Sequence, residues 1–144
     1  MRAARSSGGA LSQPRYACAI IEDARGRLLL ELRPPSAARA ASCLTCFGGG
    51  CEAGESSEQA LQRELAEELG WRPREAAPCC DLRHRDGRWL ARFYRCAWDG
   101  GTPRCEPGVV AIWAPWPSLP GLPLSSWHRA VLEAVARGDS VAWV

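Results

Sequence analysis

The chain has 144 residues, the size of one ordinary domain, and its 18 basic and 16 acidic residues leave a formal net charge of +2. So small a net charge provides no global field for attracting nucleic acid or a membrane surface, and we expect neither as a partner. Every basic residue is arginine, which excludes sites that depend on lysine, such as a P-loop or a Schiff base.

Residues 1–14 are polar and rich in small side chains, and we expect them to form a flexible N-terminus. They lack the apolar run of a signal peptide, and no segment of the chain approaches the length of a membrane span. We therefore expect a cytoplasmic protein, monomeric or homodimeric, in which residues 15–144 form a single domain.

The first half of this domain predicts two short strands in a hairpin, at residues 16–21 and 27–32, joined by a turn at 23–26. A loop is predicted over 34–42 and a brief strand over 44–47. Three glycines follow, Gly48 to Gly50, and predict a loop with backbone angles that other residues do not adopt. A helix is predicted over 57–69, because Ser56 and Gln59 have the spacing of a capping box and Gly70 suits its C-terminus.

The second half predicts a strand pair, 80–85 and 88–98, around the hairpin turn Asp86-Gly87. A loop over 100–108, a strand over 109–113 and a proline-rich loop over 114–123 follow. The last predicted element is a helix near 127–136, which ends before Gly138.

Acidic and apolar residues occupy adjacent faces of the helix predicted at 57–69. At about 100° per residue, leucines at every fourth position from Leu61 to Leu69 share one face, and Glu64, Glu67 and Glu68 share the next. Three carboxylates within one turn repel one another unless a cation compensates, and Mg²⁺ prefers oxygen ligands of this kind. The face therefore predicts a divalent-cation site.

Arg63 lies one turn before Glu67 and is expected to anchor a carboxylate, either that of Glu67 or that of Glu55 before the helix. The glycines before the helix allow a backbone carbonyl to face the cation and amides to face phosphate oxygens. A loop and a helix are thus expected to share one site.

The segment 49–71, GGCEAGESSEQALQRELAEELGW, resembles the Nudix box, G-x5-E-x7-R-E-U-x-E-E-x-G-U, where U is apolar. Every defined position is filled, by Gly49, Glu55, Arg63, Glu64, Leu65, Glu67, Glu68, Gly70 and Trp71. One departure precedes the box, because the family commonly has proline where this chain has Phe47. Some Nudix enzymes that remove oxidised nucleoside triphosphates have a similar Phe-Gly-Gly.

The resemblance implies a hydrolase that cleaves a nucleoside diphosphate linked to another moiety, X, by attack of water on phosphorus with Mg²⁺ or Mn²⁺. It implies four metal ligands, the carboxylates of Glu64, Glu67 and Glu68 and the carbonyl of Gly48. Glu55 and Arg63 would form an orienting pair. The general base would be a glutamate of the box or Glu106, in the loop before the strand at 109–113.

A nucleoside triphosphate, cut to monophosphate and pyrophosphate, is the first substrate that we expect. ADP-ribose, a nucleotide sugar and a dinucleoside polyphosphate are the alternatives, and a non-catalytic nucleotide sensor is an alternative of another class. Phe47 and Trp113 are candidates for stacking on a base, although each could instead fill the core. Gly49 and Arg33 are candidates for phosphate contacts.

The eight cysteines allow another interpretation, because Cys43 and Cys46 have the CxxC spacing of a zinc or redox motif. No second CxxC accompanies them, and neither histidine completes a zinc-finger spacing. Reduced thiols in a core are the preferred interpretation. For the whole domain we expect the α/β fold of the Nudix family, an α/β/α sandwich around a mixed sheet.

Overall fold

The computed structural model describes residues 13–144. Most of the predicted flexible N-terminus, residues 1–12, lies outside this range. Pro14 is buried and the backbone N–H of Arg15 donates to the carbonyl of Trp89, so these two residues already contact the domain before the first strand. No helix of the described range is long and apolar enough to cross a membrane.

The described residues form strands, two α-helices and one 3-10 helix. The strands are β1 (Tyr16–Glu22), β2 (Arg27–Leu32), β3 (Leu44–Thr45), β4 (Phe47–Gly50), β5 (Ala77–Arg83), β6 (Trp89–Ala97), β7 (Val110–Pro115) and β8 (Val141–Trp143). The α-helices are α1 (Ser57–Leu69) and α2 (Ser126–Arg137), and the 3-10 helix spans Trp116–Gly121.

β1 lies at the centre of a mixed sheet. Along one edge it pairs in parallel with β6, from Tyr16 opposite Ala91 to Glu22 opposite Ala97. Along the other edge it pairs antiparallel, first with β4 and then with the start of β2. β7 extends the sheet beyond β2, and β5 and β8 extend it beyond β6. The predicted mixed sheet is confirmed.

Alternating residues of β1 enter two separate hydrophobic cores. Cys18 and Ile20 belong to the core under α2, which we call the α2 face of the sheet. Ala17, Ala19 and Ile21 belong to the core under α1, on the α1 face. Because successive side chains of a strand point to opposite sides, the two helices cover opposite faces. The predicted α/β/α sandwich is confirmed.

Four elements differ from the sequence-based prediction. The glycines Gly48–Gly50, expected in a loop, belong to β4, because the first half of β1 offers them a backbone partner. β8 was not predicted, since three residues carry too little pattern, and the proline-rich segment contains the 3-10 helix. β5 begins at Ala77, three residues before the predicted strand. The predicted helix over 57–69 has the predicted bounds.

Candidate active site

Local interactions fix both ends of α1, and a contact with β6 fixes its first turn. The Ser56 hydroxyl accepts from the backbone N–H of Gln59 at 3.1 Å, and the Gln59 side chain accepts from the backbone N–H of Ser56 at 2.9 Å. This reciprocal pair is the predicted capping box. Gly70 ends the helix with a φ of 59°, in the left-handed region that favours glycine. At the first turn, the hydroxyls of Ser57 and Tyr94 share a hydrogen bond that ties the helix to β6.

The side chains of α1 satisfy the outer edge of β4. In the described part of the chain, β4 pairs with β1 along one edge only. On the opposite edge, the Gly48 backbone N–H donates to Glu68 Oε1 at 3.1 Å, and Arg63 Nη2 donates to the Gly50 carbonyl at 3.0 Å. Two charged residues of the helix thus replace the hydrogen bonds that a further strand would make.

Neighbouring atoms lie so close to two positions of β4 that only glycine fits there. A Cβ on Gly48 would lie 2.2 Å from the backbone oxygen of Ala17, and φ at Gly48 is +147°. A Cβ on Gly49 would lie 2.3 Å from the carboxyl carbon of Glu64. The Glu64 carboxylate therefore occupies the space beside Gly49, and any side chain at this position would collide with it.

Arg63 is the centre of a charged network. It binds Glu55 through two hydrogen bonds, Nε to Oε2 at 2.7 Å and Nη2 to Oε1 at 3.0 Å. Its Nη1 also donates to Glu64 Oε2 at 3.1 Å and lies 3.6 Å from Glu67 Oε2. Hydrogen bonds from Arg63, and then one from the Glu52 backbone N–H, lower the pKa of Glu55 to about 2. Of the two partners considered for Arg63, the structure thus selects Glu55 for the bidentate pair.

The carboxylates of Glu64, Glu67 and Glu68 on α1 differ in environment. The Glu64 and Glu67 side chains are 19% and 57% exposed, whereas burial raises the pKa of Glu68 to about 8. The charges of Glu31 and Glu64 act in the same direction on Glu68, and the Gly48 N–H opposes them. Glu68 therefore carries an uncompensated electrostatic cost that a bound cation would relieve.

Within residues 13–144, no three His, Cys, Asp or Glu side chains are arranged as a group that could hold a metal ion. The Glu64 and Glu67 carboxylates are turned towards Arg63, whereas the Glu68 carboxylate accepts from the Gly48 N–H. The donors nevertheless fit Mg²⁺ or Mn²⁺ in type, since all are oxygen atoms and the acidic side chains are adjacent on one helix. Side-chain rotation within the cluster would be required to bring them together.

Glu106 lies beside the same helix. Its backbone N–H donates to the Glu68 carbonyl at 3.3 Å, which holds the loop before β7 against the end of α1, and its charge contributes to the raised pKa of Glu68. A second neighbour, Glu31 on β2, was not predicted. Its flanking leucines indicated an apolar strand, and a buried acid within such a run gives no separate signal.

The candidates for substrate contacts have mixed outcomes. The stacking role considered for Phe47 is wrong for this structure, because the ring is fully buried under α1 and offers no face to a ligand. Trp113 is partly buried, packs edge-on against Trp98 with ring centroids 6.0 Å apart, and lies under the Arg27 guanidinium. Arg33 Nη1 lies 3.7 Å from Glu31 Oε2, so part of its charge faces an acid of the chain itself.

An aromatic corner was also missed, because its members are far apart in sequence. Tyr16 and Trp127 meet edge-to-face with centroids 6.2 Å apart, and Trp127 is 37% exposed. The Tyr16 ring lies beside Gly50, 3.9 Å from where a Cβ would be. The Arg39 guanidinium hydrogen-bonds the Tyr16 hydroxyl. The corner therefore adjoins the end of β4.

The cysteines show no feature of a metal or redox site. All eight are free, and Cys46 of the CxxC motif is buried, which raises the pKa of its thiol to about 12. A thiolate, the form that binds zinc or attacks a disulfide, is therefore disfavoured there. The Cys46 backbone N–H instead donates to Nδ1 of His128 at 3.0 Å, which links the residue between β3 and β4 to α2.

Comparison with known proteins agrees with this geometry. A family model described as the NUDIX domain matches residues 12–135. A MutT NUDIX hydrolase from Burkholderia pseudomallei has 32% identity and a TM-score of 0.69, over 86% of this chain and 99% of its own. The ORF135 protein of E. coli has 28% identity and a TM-score of 0.64, over 90% and 92%.

A MutT protein from Methanosarcina mazei Go1 shares the fold, with 20% identity and a TM-score of 0.70 over 88% of this chain and 96% of its own. A search of curated protein sequences found no match.

Proposed function

The chain belongs to the NUDIX family, and from that premise we propose that it is a divalent-cation-dependent hydrolase that cuts a nucleoside triphosphate to a monophosphate and pyrophosphate. One observation carries the proposal. Two acidic residues of α1 lie against the glycines of β4, since Glu68 accepts from the Gly48 N–H and Glu64 fills the space beside Gly49. A purely structural acidic face would have no reason to approach a glycine strand so closely.

Glu64, Glu67 and Glu68, with the carbonyl of Gly48, would hold the Mg²⁺ or Mn²⁺ ion. When bound, such an ion neutralises charge on the phosphates and lowers the pKa of a coordinated water. The raised pKa of Glu68 supports this assignment, because an acid that is costly to ionise alone gains most from a neighbouring cation.

The remaining residues of the network would position these ligands. The bidentate Glu55–Arg63 pair fixes the guanidinium, which in turn holds Glu64 through Nη1. Arg63 also binds the Gly50 carbonyl, so the same side chain sets the distance between helix and strand. The base that takes a proton from the attacking water would be a glutamate of the helix or Glu106, which the loop before β7 brings beside Glu68.

The base of the nucleotide would stack in the aromatic corner of Tyr16 and Trp127. The corner combines a partly exposed indole with the Arg39 guanidinium, and it adjoins Gly50 at the end of the strand that carries the site. Aromatic faces accept any base, and arginines suit phosphate oxygens. This placement replaces the buried Phe47. Arg33 would assist, since its Nε donates to the Arg39 carbonyl at 3.4 Å and so lies in the same corner.

Similarity to a MutT NUDIX hydrolase over nearly the whole of that chain supports a nucleoside triphosphate as the first substrate to test. ADP-ribose, a nucleotide sugar and a dinucleoside polyphosphate are the alternatives within the family. A nucleotide sensor without activity is the alternative of another class, and the complete acidic set argues against it, because binding alone does not require every member.

The test is a panel of nucleoside triphosphates, oxidised forms included, with the alternative substrates above, assayed with Mg²⁺ and analysed for products. We expect monophosphate and pyrophosphate from a triphosphate, and a loss of at least 100-fold in kcat for Glu67→Gln. Glu133→Gln, at an exposed position of α2, is the matched control and should retain full activity. Absence of turnover on the whole panel, together with tight nucleotide binding that needs no metal, would show a sensor instead.

For the aromatic corner, Trp127→Ala should raise KM with little change in kcat, since stacking is an interaction of bound substrate rather than of the transition state. An unchanged KM would place the base elsewhere.

A further inference from the structure

Glu31 is an acid in a place where the sheet is otherwise apolar. It lies on β2 in the sequence RLLLEL, with Leu30 fully buried before it. Strand alternation puts it on the same side as Leu29, which belongs to the core under α1. Its side chain is 9% exposed, less than that of Glu64 at 19% or Glu67 at 57%. Glu31 is therefore more deeply buried than two of the three acids of α1 discussed above.

The Glu31 carboxylate lacks a hydrogen-bond donor among the described residues. Its one neighbouring cation is Arg33, whose Nη1 is 3.7 Å from Oε2, too far for a hydrogen bond. Burying a carboxylate without hydrogen-bond donors is destabilising unless a partner compensates. Arg33 is itself about one-third exposed and provides a weak partner. Glu31 is thus a largely buried acid whose ion-pair partner among the described residues, Arg33, is held at a distance.

Three chain segments bring Glu31 next to the acidic residues of the site. In the sheet it stands between Thr45 of β3 and Ala111 of β7, and Glu106 lies in the loop that leads into β7. The backbone N–H of Glu106 in turn donates to the Glu68 carbonyl at 3.3 Å. Glu31 therefore lies on the α1 face of the sheet, in the strand next to the segment that carries Glu106 and contacts the end of α1.

We propose that Glu31 takes part in binding the divalent cation from the sheet side, through direct contact or through a water of the cation's hydration shell. The inference rests on the proposed cation-dependent function and adds to it an acidic residue outside the Nudix box. Mg²⁺ commonly retains several waters, and a carboxylate beyond the direct ligands can accept hydrogen bonds from them. A bound cation would supply a stronger positive partner for Glu31 than the partly exposed Arg33.

The test measures Mn²⁺ binding to the nucleotide-free protein by the paramagnetic resonance signal of free Mn²⁺, with Mg²⁺ as competitor. Glu31→Gln, which keeps the shape and removes the charge, should weaken Mn²⁺ binding about tenfold and raise the Tm of the metal-free protein. Glu133→Gln, at an exposed acid paired only loosely with Arg129 at 3.9 Å, should change neither quantity. Weaker Mn²⁺ binding together with a higher Tm in Glu31→Gln would indicate cation binding. A merely structural role of Glu31 would instead lower Tm and leave the Mn²⁺ affinity unchanged.

Glu31→Leu provides a second variant, because the surrounding core can accept an apolar side chain. Leucine also avoids burying the polar amide group that glutamine introduces. Unchanged Mn²⁺ affinity in both variants, with wild-type protein that binds Mn²⁺, would overturn the role of Glu31 alone. Wild-type protein that binds no Mn²⁺ would overturn this role and the cation-dependent function together.

Discussion

Alanine substitution at each of the three consecutive glycines of β4 should give three different results. At Gly48, the new Cβ would stand 2.2 Å from the Ala17 backbone oxygen, where ordinary contact begins at 3.4 Å. The strands β1 and β4 would have to separate by roughly 1 Å, which disrupts their hydrogen bonds, and the positive φ adds strain. We expect Gly48→Ala to cost about 3 kcal/mol or more, a fall in Tm of roughly 6 to 12 °C for a chain of this size.

At Gly49, the obstacle is the Glu64 carboxylate, 2.3 Å from the new Cβ, and a side chain can rotate away where a backbone cannot. The cost in stability should stay near 1 kcal/mol, about that of the Arg63–Glu64 hydrogen bond. Activity should suffer more, because displacement of a catalytic group by 1 Å can reduce kcat about 100-fold. At Gly50, the nearest atom is 3.9 Å away in the Tyr16 ring, and Gly50→Ala should be nearly neutral in Tm and kcat.

Thermal unfolding and steady-state hydrolysis of the three variants, side by side, provide the assay. The expected pattern is loss of stability at Gly48, loss of turnover at Gly49 and neither at Gly50. A Gly49→Ala enzyme as active as Gly50→Ala would refute the placement of Glu64 against this strand. If Gly48→Ala had the same Tm as Gly50→Ala, the close approach of β1 to Gly48 would be refuted.

Three further predictions concern charge and pH. Because the pKa of Glu68 is raised to about 8, the unfolding free energy of the metal-free protein should fall, relative to that of Glu68→Gln, as pH rises from about 4.5 to 8. Saturating Mg²⁺ should remove this difference. Urea unfolding would contradict the prediction if the free energies of the two metal-free proteins had the same pH dependence. Burial, and then the Arg33 charge, lowers the pKa of His128 to about 4, so stability should fall by up to roughly 3 kcal/mol as pH drops from 6.5 to 4, and His128→Gln should flatten this fall. Arg63→Lys should lower kcat at least tenfold while a melting curve shows a change of only a few degrees, since lysine cannot bind both Glu55 oxygens and the Gly50 carbonyl; full activity would show that the fork geometry is dispensable.

The sequence predicted α1 and its acidic face well because these depend on local rules. The capping box, the glycine at the C-terminus and the spacing of the leucines all act within one helix. The Arg63–Glu55 pair was one of two candidates, and the choice depended on how the loop before α1 folds back. Glu31 and the Tyr16–Trp127 corner could not be predicted, because each arises from strands and helices that meet only in the folded chain.

The glycines of β4 show the same limit in another form. Their composition indicated a loop, since glycine lacks intrinsic strand preference, yet β1 supplies a partner for one edge and α1 for the other. Phe47 was misassigned for a related reason. Alternation along β4 turns Phe47 and Gly49 towards α1, so the ring fills the core at the position where the next inward residue leaves room for Glu64.

Glu68 and Arg63 serve the fold and the proposed chemistry at once, and this determines how their variants must be interpreted. Removing either side chain would leave a backbone group of β4 without its partner, Gly48 N–H or Gly50 C=O, so an alanine variant would lose stability for reasons unrelated to catalysis. Glu68→Gln still offers an oxygen to the Gly48 N–H but lacks the charge. Loss of activity in Glu68→Gln with a retained Tm would therefore assign the charge to catalysis. If Glu68→Gln and Glu68→Ala instead lost activity and Tm to the same extent, the role of Glu68 would be to hold the edge of β4.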